Sequence, residues 1–224
     1  MVALPGNAAR LASLGTYAFL AAVSMFLLTP IYWILATSVK PTSEILVTPT
    51  HLLTVAPTFD HFRAVFAGDF QRYFLNSLVA ASGATAVSFV LSVPAAWGFA
   101  KYRFPGSAGL LSFVVVTRVF PPIALALPFF LQFRTIGLID TPVGLIVGYI
   151  PIVLPLMIWM LAGFFKDFPD ELVEAARIDG LGVIGTLIRI VLPLSLPGLG
   201  VALLFGFLVA WNEFVIALTL TRTP

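Results

Sequence analysis

KDFPDELVEAARIDG, residues 166–180, packs seven charged side chains into fifteen positions: Lys166, Asp167, Asp170, Glu171, Glu174, Arg177 and Asp179. The whole chain of 224 residues has only 12 Lys and Arg and 10 Asp and Glu. Long apolar runs lie on both sides of this island. Charged residues make up 10% of the chain, against about a quarter in an ordinary soluble domain. A chain of this length would bury a good core, but it would still need a wetted surface, and so few charges do not supply one. The solvent for most of the chain is therefore lipid, and the charged island needs a separate explanation.

The intervals between charges give the spans. Arg10 to Lys40 encloses 29 uncharged residues, Arg72 to Lys101 encloses 28, Asp140 to Lys166 encloses 25 and Arg189 to Glu213 encloses 23. Arg103 to Arg134 encloses 30, interrupted once by Arg118. A spanning helix needs about 20 apolar residues. The chain is thus expected to be all-α and polytopic, with five spans near Leu14–Ala36, Phe74–Ala100, Ser107–Phe133, Val143–Phe165 and Leu196–Leu218. The first run exceeds the roughly 7–15 residues of a signal-peptide core and reads as an uncleaved span.

Residues 40–72 form the longest polar interval, with KPTSE, the turn-rich TPTH and FDHFRAVFAGDF, which reads as a short amphipathic surface helix. KYRFPG at 101–106 and RTIGLIDTP at 134–142 read as turns, and TLIRIVLP at 186–193 as a second amphipathic stretch. Basic residues are nearly balanced between the two sides. The tight turn bearing Lys101 and Arg103 favours a cytoplasmic N-terminus. That makes 40–72 extracytoplasmic and 166–193 cytoplasmic, within a single transmembrane domain covering 1–224.

Several chemistries find no support. The basic residues are scattered and form no nucleic-acid patch. There is no Cys, hence no thiolate ligand or nucleophile. His51 and His61 stand apart, read as solvated loop histidines and form no metal-ligand pattern. No catalytic residue, metal or cofactor is expected. A phosphate-binding GxxxxGK[ST] is missing, so any ATP hydrolysis would belong to a partner.

FPDELVEAARIDG reads as a short helix. Asp167 is a candidate N-cap, and Pro169 suits the first turn. Asp170 and Glu171 sit where the helix dipole favours negative charge. Glu174 stands three residues before Arg177, a spacing that allows a surface pair, and Gly180 fits a left-handed cap. Leu172, Ala175, Ala176 and Asp179 share a face on which small residues permit close approach. On composition alone, a solvated connector and a docking helix remain equally open.

EAARIDG, nine residues, then IVLP resembles the EAA loop of permease subunits of ATP-binding-cassette importers. The matching positions are Glu174, Ala175, Ala176, Gly180, Ile190, Leu192 and Pro193. RVFPPIALALPFFLQFRTIGLIDTP (118–142) is similar to the third-span signature of maltose-type carbohydrate permeases. SVKPTSEI, FLNSLVAA and AWNEFVIALTLT look alike too, in the same order. The resemblance covers nearly the whole chain. It implies a MetI-like, all-α permease of the bacterial or archaeal cytoplasmic membrane, in which 166–193 docks on an ATPase subunit through Glu174, Ala175, Ala176, Asp179, Gly180 and Pro193. It also implies a second homologous permease, an extracytoplasmic solute-binding protein, and transport of a sugar or related solute by alternating access. Such permeases usually have six helices, so the resemblance leaves one helix after TLTRTP unaccounted for and makes a truncated, inactive product one alternative.

Polar groups within the spans are the candidate solute path. Arg118 falls mid-span, where an Arg costs about 2.5–3.5 kcal/mol on insertion scales. It reads either as a pathway residue paired with Glu213 or as a snorkelling or helix-pairing charge. Pro121, Pro122 and Pro128 predict a broken third span facing protein. Asn76, Asn212 and Glu213, with Trp211 adjacent, read either as sugar contacts or as interhelical glue. A stand-alone ion-coupled carrier is the other function class, and Glu213 is the one acid it could use.

Overall fold

A computed structural model describes residues 6–45, 51–54, 56–102 and 104–222, with side chains from Ser13 onward. Arg103 and the TPT of TPTH lie outside the described residues. The chain divides into two units, 1–71 and 72–224.

In the first unit, α1 (Gly6–Ser38) is followed by the short helices α2 (Thr42–Ile45) and α3 (Asp60–Ala67). Ser13–Ser38 is apolar around its whole circumference and buries none of it within the protein, the pattern of a helix solvated by lipid. Its C-terminal end is organised by Lys40, which is 1% exposed. The Lys40 ammonium donates to the His51 carbonyl and lies 4.7 Å from the Trp33 ring centre. The Lys40 carbonyl meets the His61 ring at 2.8 Å, and the Tyr32 hydroxyl donates to the Leu52 carbonyl at 2.7 Å. His61 is thus half-buried and bonded rather than a solvated loop residue: an otherwise unpaired backbone carbonyl recruits its ring. The expected amphipathic surface helix is α3, which buries no residue.

In the second unit, α4 (Phe70–Lys101) and α7 (Pro142–Lys166) are continuous apolar helices long enough to cross a membrane. Between them, α5 (Ser107–Val116) runs into a single 3₁₀ turn (Thr117–Val119) and then α6 (Pro122–Thr135), with an 89° bend between the two arms. The break has a local cause. A residue preceding proline is driven out of the helical region, and both Phe120 (ψ 121) and Pro121 (ψ 131) are extended. Pro122 then opens α6 at a position where its missing N–H costs little.

After α7 come α8 (Asp170–Ile178), α9 (Val183–Thr186), a π-helical turn (Leu187–Val191), α10 (Leu192–Leu194), α11 (Leu196–Trp211) and α12 (Val215–Leu220). Val183–Leu194 and Leu196–Trp211 form a second bent pair, at 85°. Among the described residues, three helices could cross a membrane by length and composition, or up to five if each bent pair is one span. The expected straight fifth span ends early, at Trp211, and the chain turns at Asn212–Phe214 before α12.

Two cores run through this unit. One joins Val93, Ala96 and Trp97 of α4 to Leu161 and Phe165 of α7, Val173 of α8, Leu187, Val191 and α11 residues Leu199 and Ala202. The other joins Ala80, Ala81 and Ala84 to Phe133, Tyr149, Val153, Met157, Ala210, Ile216 and Leu220. Helix approach rests on small residues. Ala80, Ala84, Ser88, Ser92 and Ala96 form a buried stripe on α4 at four-residue spacing. Gly198, Ala202, Gly206 and Ala210 form a second one on α11. A Cβ on Gly206 would lie 2.2 Å from Met157 Cε, and one on Gly198 2.8 Å from the Phe164 ring. Lipid tails give helices no hydrophobic reason to associate, so close backbone approach supplies the packing.

Candidate functional site

The charged island becomes α8, set at the end of the unit where α4 and α7 terminate in Lys101 and Lys166. Its N-terminus differs from expectation. Asp167 lies at the C-terminal end of α7, and Pro169 precedes α8 without any side-chain cap. The Lys101 ammonium instead anchors the segment before α8 and its first residue, donating to the Phe168 carbonyl and to Asp170 Oδ1, both at 2.6 Å.

The C-terminus follows expectation. Gly180 has φ +84°. Its N–H donates to the Arg177 carbonyl at 3.0 Å, and the Leu181 N–H donates to the Ala176 carbonyl at 2.9 Å. This pair of bonds is the Schellman arrangement, which needs a left-handed residue at the turn.

The faces of α8 separate differently from the sequence expectation. Val173 is buried in the first core, and Ala176, three residues on, is buried as well. Ala176 is therefore not on a free docking surface: a helix this short depends on tertiary packing of one face to remain folded. The open side carries Leu172 (41% exposed), Glu174, Ala175, Asp179 and Ile178, which is 86% exposed. Arg177 does not pair with Glu174; its guanidinium donates to the Tyr102 hydroxyl at 3.4 Å. Pro193, in α10, is exposed at the second bend.

The solute-path candidates fall elsewhere. Arg118 is exposed, in the 3₁₀ turn at the first bend, beside Pro121 and Pro122. Glu213 does not pair with it. The Glu213 carboxylate instead accepts the N–H groups of Val215, Ile216 and Ala217 at 3.1, 2.9 and 3.2 Å. An anionic acceptor satisfies the orphan donors that open α12 and suits the positive end of its dipole. Asn212 Nδ2 donates to the Leu208 carbonyl at 2.7 Å. Trp211 stacks on Phe207 with 5.4 Å between ring centres and meets Phe74 edge-on at 5.6 Å. That contact brings the start of α4, which bears the exposed Asn76, to the end of α11. It lies at the opposite end of α4 and α11 from α8.

Residues 88–224 match the family described as binding-protein-dependent transport system inner membrane component. A trehalose transport system permease protein of Mycobacterium tuberculosis is 38% identical over 88% of this chain and 72% of its own length. The chain belongs to this permease family. A sulfoquinovosyl glycerol transport system permease protein of Agrobacterium fabrum is 35% identical over 88% of the chain and 70% of that protein. A diacetylchitobiose uptake system permease protein of Streptomyces coelicolor is 31% identical over 92% and 68%. The fold agrees with a crystal structure of a bacterial ABC transporter that imports the acidic polysaccharide alginate. Its TM-score is 0.81 at 24% identity, covering 99% of this chain and 78% of that one. The protein is thus a multi-pass membrane permease subunit of an ATP-binding-cassette importer.

Two features of the permease escape a local reading of sequence. Lys101 serves in sequence as a topology marker, yet it holds a helix 69 residues away. The 134–142 turn does more than connect. Thr141 Oγ1 accepts from the Gly144 N–H at 3.0 Å, capping α7. The Asp140 N–H donates to the Leu220 carbonyl at 2.8 Å, and Asp140 Oδ1 accepts from the Arg222 N–H at 3.0 Å. Only the small-residue stripes carry a signal readable beforehand, their four-residue spacing.

Proposed function

We propose that the chain moves a sugar or sugar-like solute across the cytoplasmic membrane, with α8 as the helix that receives force from a soluble ATPase subunit. The supporting observation is the form of α8. It is a short amphipathic helix, capped at Gly180, whose open face presents Ile178, Leu172 and Ala175 among charges at one end of the bundle. An apolar side chain held 86% exposed on a water-facing helix has a physical use if a groove covers it. Glu174, Ala175, Asp179 and Gly180 lie on that open side or at its cap, and Pro193 lies at the bend that follows. In this reading 166–193 and the N-terminus are cytoplasmic and 40–72 is extracytoplasmic. The complex is completed by two ATPase subunits, a second permease and a solute-binding protein. A carbohydrate substrate is supported by the relatives, whose names specify trehalose, sulfoquinovosyl glycerol and diacetylchitobiose. Trp211 and Asn212, adjacent in the chain, are a pairing of aromatic ring and amide that would suit a sugar. An ion-coupled carrier draws no support from Glu213, whose carboxylate is committed to α12.

The test is a cross-link. Ala175→Cys, on the open face of α8, is paired with a cysteine in the surface groove of the partner ATPase in native membranes. Oxidation should join the two chains, and the yield should change with nucleotide. No cross-link in membranes where both proteins are present would refute the coupling role.

A further inference from the structure

We infer that Lys101 and Tyr102 form a two-point clamp that makes α8 move with α4. The inference rests on α8 being the coupling helix. Two adjacent residues at the end of α4 grip α8 near both of its termini. Lys101 holds the Phe168 carbonyl and Asp170 Oδ1, each at 2.6 Å. Tyr102 receives Arg177 Nη2 at 3.4 Å. Asp170 and Arg177 stand seven residues apart, about 10 Å along a helix at 1.5 Å per residue. The grip therefore resists rotation of α8 as well as translation.

The two points differ in strength. The Lys101 side chain is 8% exposed while that of Asp170 is 76% exposed. An ammonium removed from water needs its acceptors, and a carbonyl together with a carboxylate supplies a charge-assisted set. Leaving it unpaired would be costly. The Tyr102–Arg177 contact is long and surface-placed, so it steers more than it holds. Between the two points, Val173 packs into the core that contains Trp97.

The connector Asp167–Pro169 and the packing of Val173 beside Leu161 and Phe165 already join α8 to α7, and the clamp adds α4 through polar bonds. A displacement of α8 is therefore passed not to α7 alone but also to α4. That helix runs without interruption from Lys101 back to Phe74, where it meets Trp211. Lys101 is a positioning residue: it acts through α8.

The test uses the complete importer in proteoliposomes, with its ATPase subunits, second permease and binding protein. Solute moved per ATP hydrolysed is read alongside the Ala175→Cys cross-link. Lys101→Met keeps the length of the side chain and removes both bonds, and Lys101→Arg keeps the charge. In Lys101→Met the ratio should fall roughly fivefold or more, on the scale of one partly screened charge-assisted bond. The cross-link should persist, and Lys101→Arg should recover most of the ratio. A purely structural role would reduce the amount of assembled complex and leave the ratio untouched. Should Lys101→Met fail to assemble, Lys101→Glu combined with Asp170→Lys must exceed each single variant in ratio. An unchanged ratio in Lys101→Met with the cross-link intact overturns the clamp and leaves the coupling role standing. A missing cross-link in the otherwise native protein overturns both.

Discussion

Substitution of Gly180 separates backbone geometry from contact. The residue sits at φ +84°, and a Cβ built there meets nothing within 4 Å. Inside this chain, the whole cost of a side chain is therefore the left-handed conformation, roughly 1–2 kcal/mol for an ordinary L-residue. Asparagine, which visits this region readily, should cost less, and β-branched valine more. A loss of 1–2 kcal/mol lowers the population of the capped state by about 5–30-fold. The bonds at risk are those from Gly180 and Leu181 to the Arg177 and Ala176 carbonyls. They hold the last turn, which contains Ile178 and Asp179. Coupling should fall in the order Gly, Asn, Ala, Val. The assay is ATP-driven uptake and ATP hydrolysis by the reconstituted importer, with the Ala175→Cys cross-link as a measure of docking. Native uptake by Gly180→Val would refute the reasoning outright. An order with Asn below Ala would refute the conformational account, because it would mean that side-chain size against a partner decides.

Substitutions at Gly206 and Glu213 test the bundle and its polar residues. Gly206→Val should lower the melting temperature of the detergent-solubilised protein, because its Cβ would fall 2.2 Å from Met157 Cε and 3.3 Å from Val153 Cγ1; overpacking of this kind costs about 1–3 kcal/mol, and Met157→Ala in the same chain should return part of it. Glu213→Ala should loosen α12 by about 1–2 kcal/mol, the usual worth of a helix cap, seen as faster proteolysis after Trp211. Glu213→Gln, which keeps an acceptor, should retain most of the protection and most of the uptake; abolished uptake in a well-folded Gln variant would instead favour an ion-binding role.

The straight helices were legible because charge marks both their ends. Residues 74–100 and 143–165, expected from the gaps, are α4 and α7 to within four residues. The first bend was legible too, since consecutive prolines exclude a continuous helix. The break at residues 212–214 was not. An acid inside an apolar run reads as a functional charge, and only the structure shows three amide groups converging on it. The inner and outer faces of α8 are not legible either. Helical spacing groups residues by face but does not say which face meets the core, so spacing alone does not separate the buried Ala176 from the exposed Ala175. The Lys101 tether was invisible because contacts between residues 69 apart leave no local pattern. The small-residue stripes are legible in principle, since a four-residue spacing of small residues is readable once lipid is recognised as the solvent.

The placement of stiffness and bend bears on how such a permease changes shape. Helices α4, α7 and α11 each contribute to both cores, and close contacts such as Gly206 with Met157 and Gly83 with Ile146 fix their mutual registers. A shear between them would cost packing along their length. The two near-perpendicular bends behave differently. At the first, Arg118, Val119 and Phe120 are exposed, and at the second so are Pro193, Leu194 and Leu196. Prolines have already removed backbone hydrogen bonds there. A change of angle at either bend therefore breaks few contacts, whereas the same change within α7 would open a core. Motion driven from α8 should accordingly leave the α4–α7–α11 packing intact and appear as a change of angle at residues 118–122 and 193–197. Distance measurements between labels on the two arms of each bend, with and without nucleotide, should show the change there. Labels paired across α7 and α11 should not move.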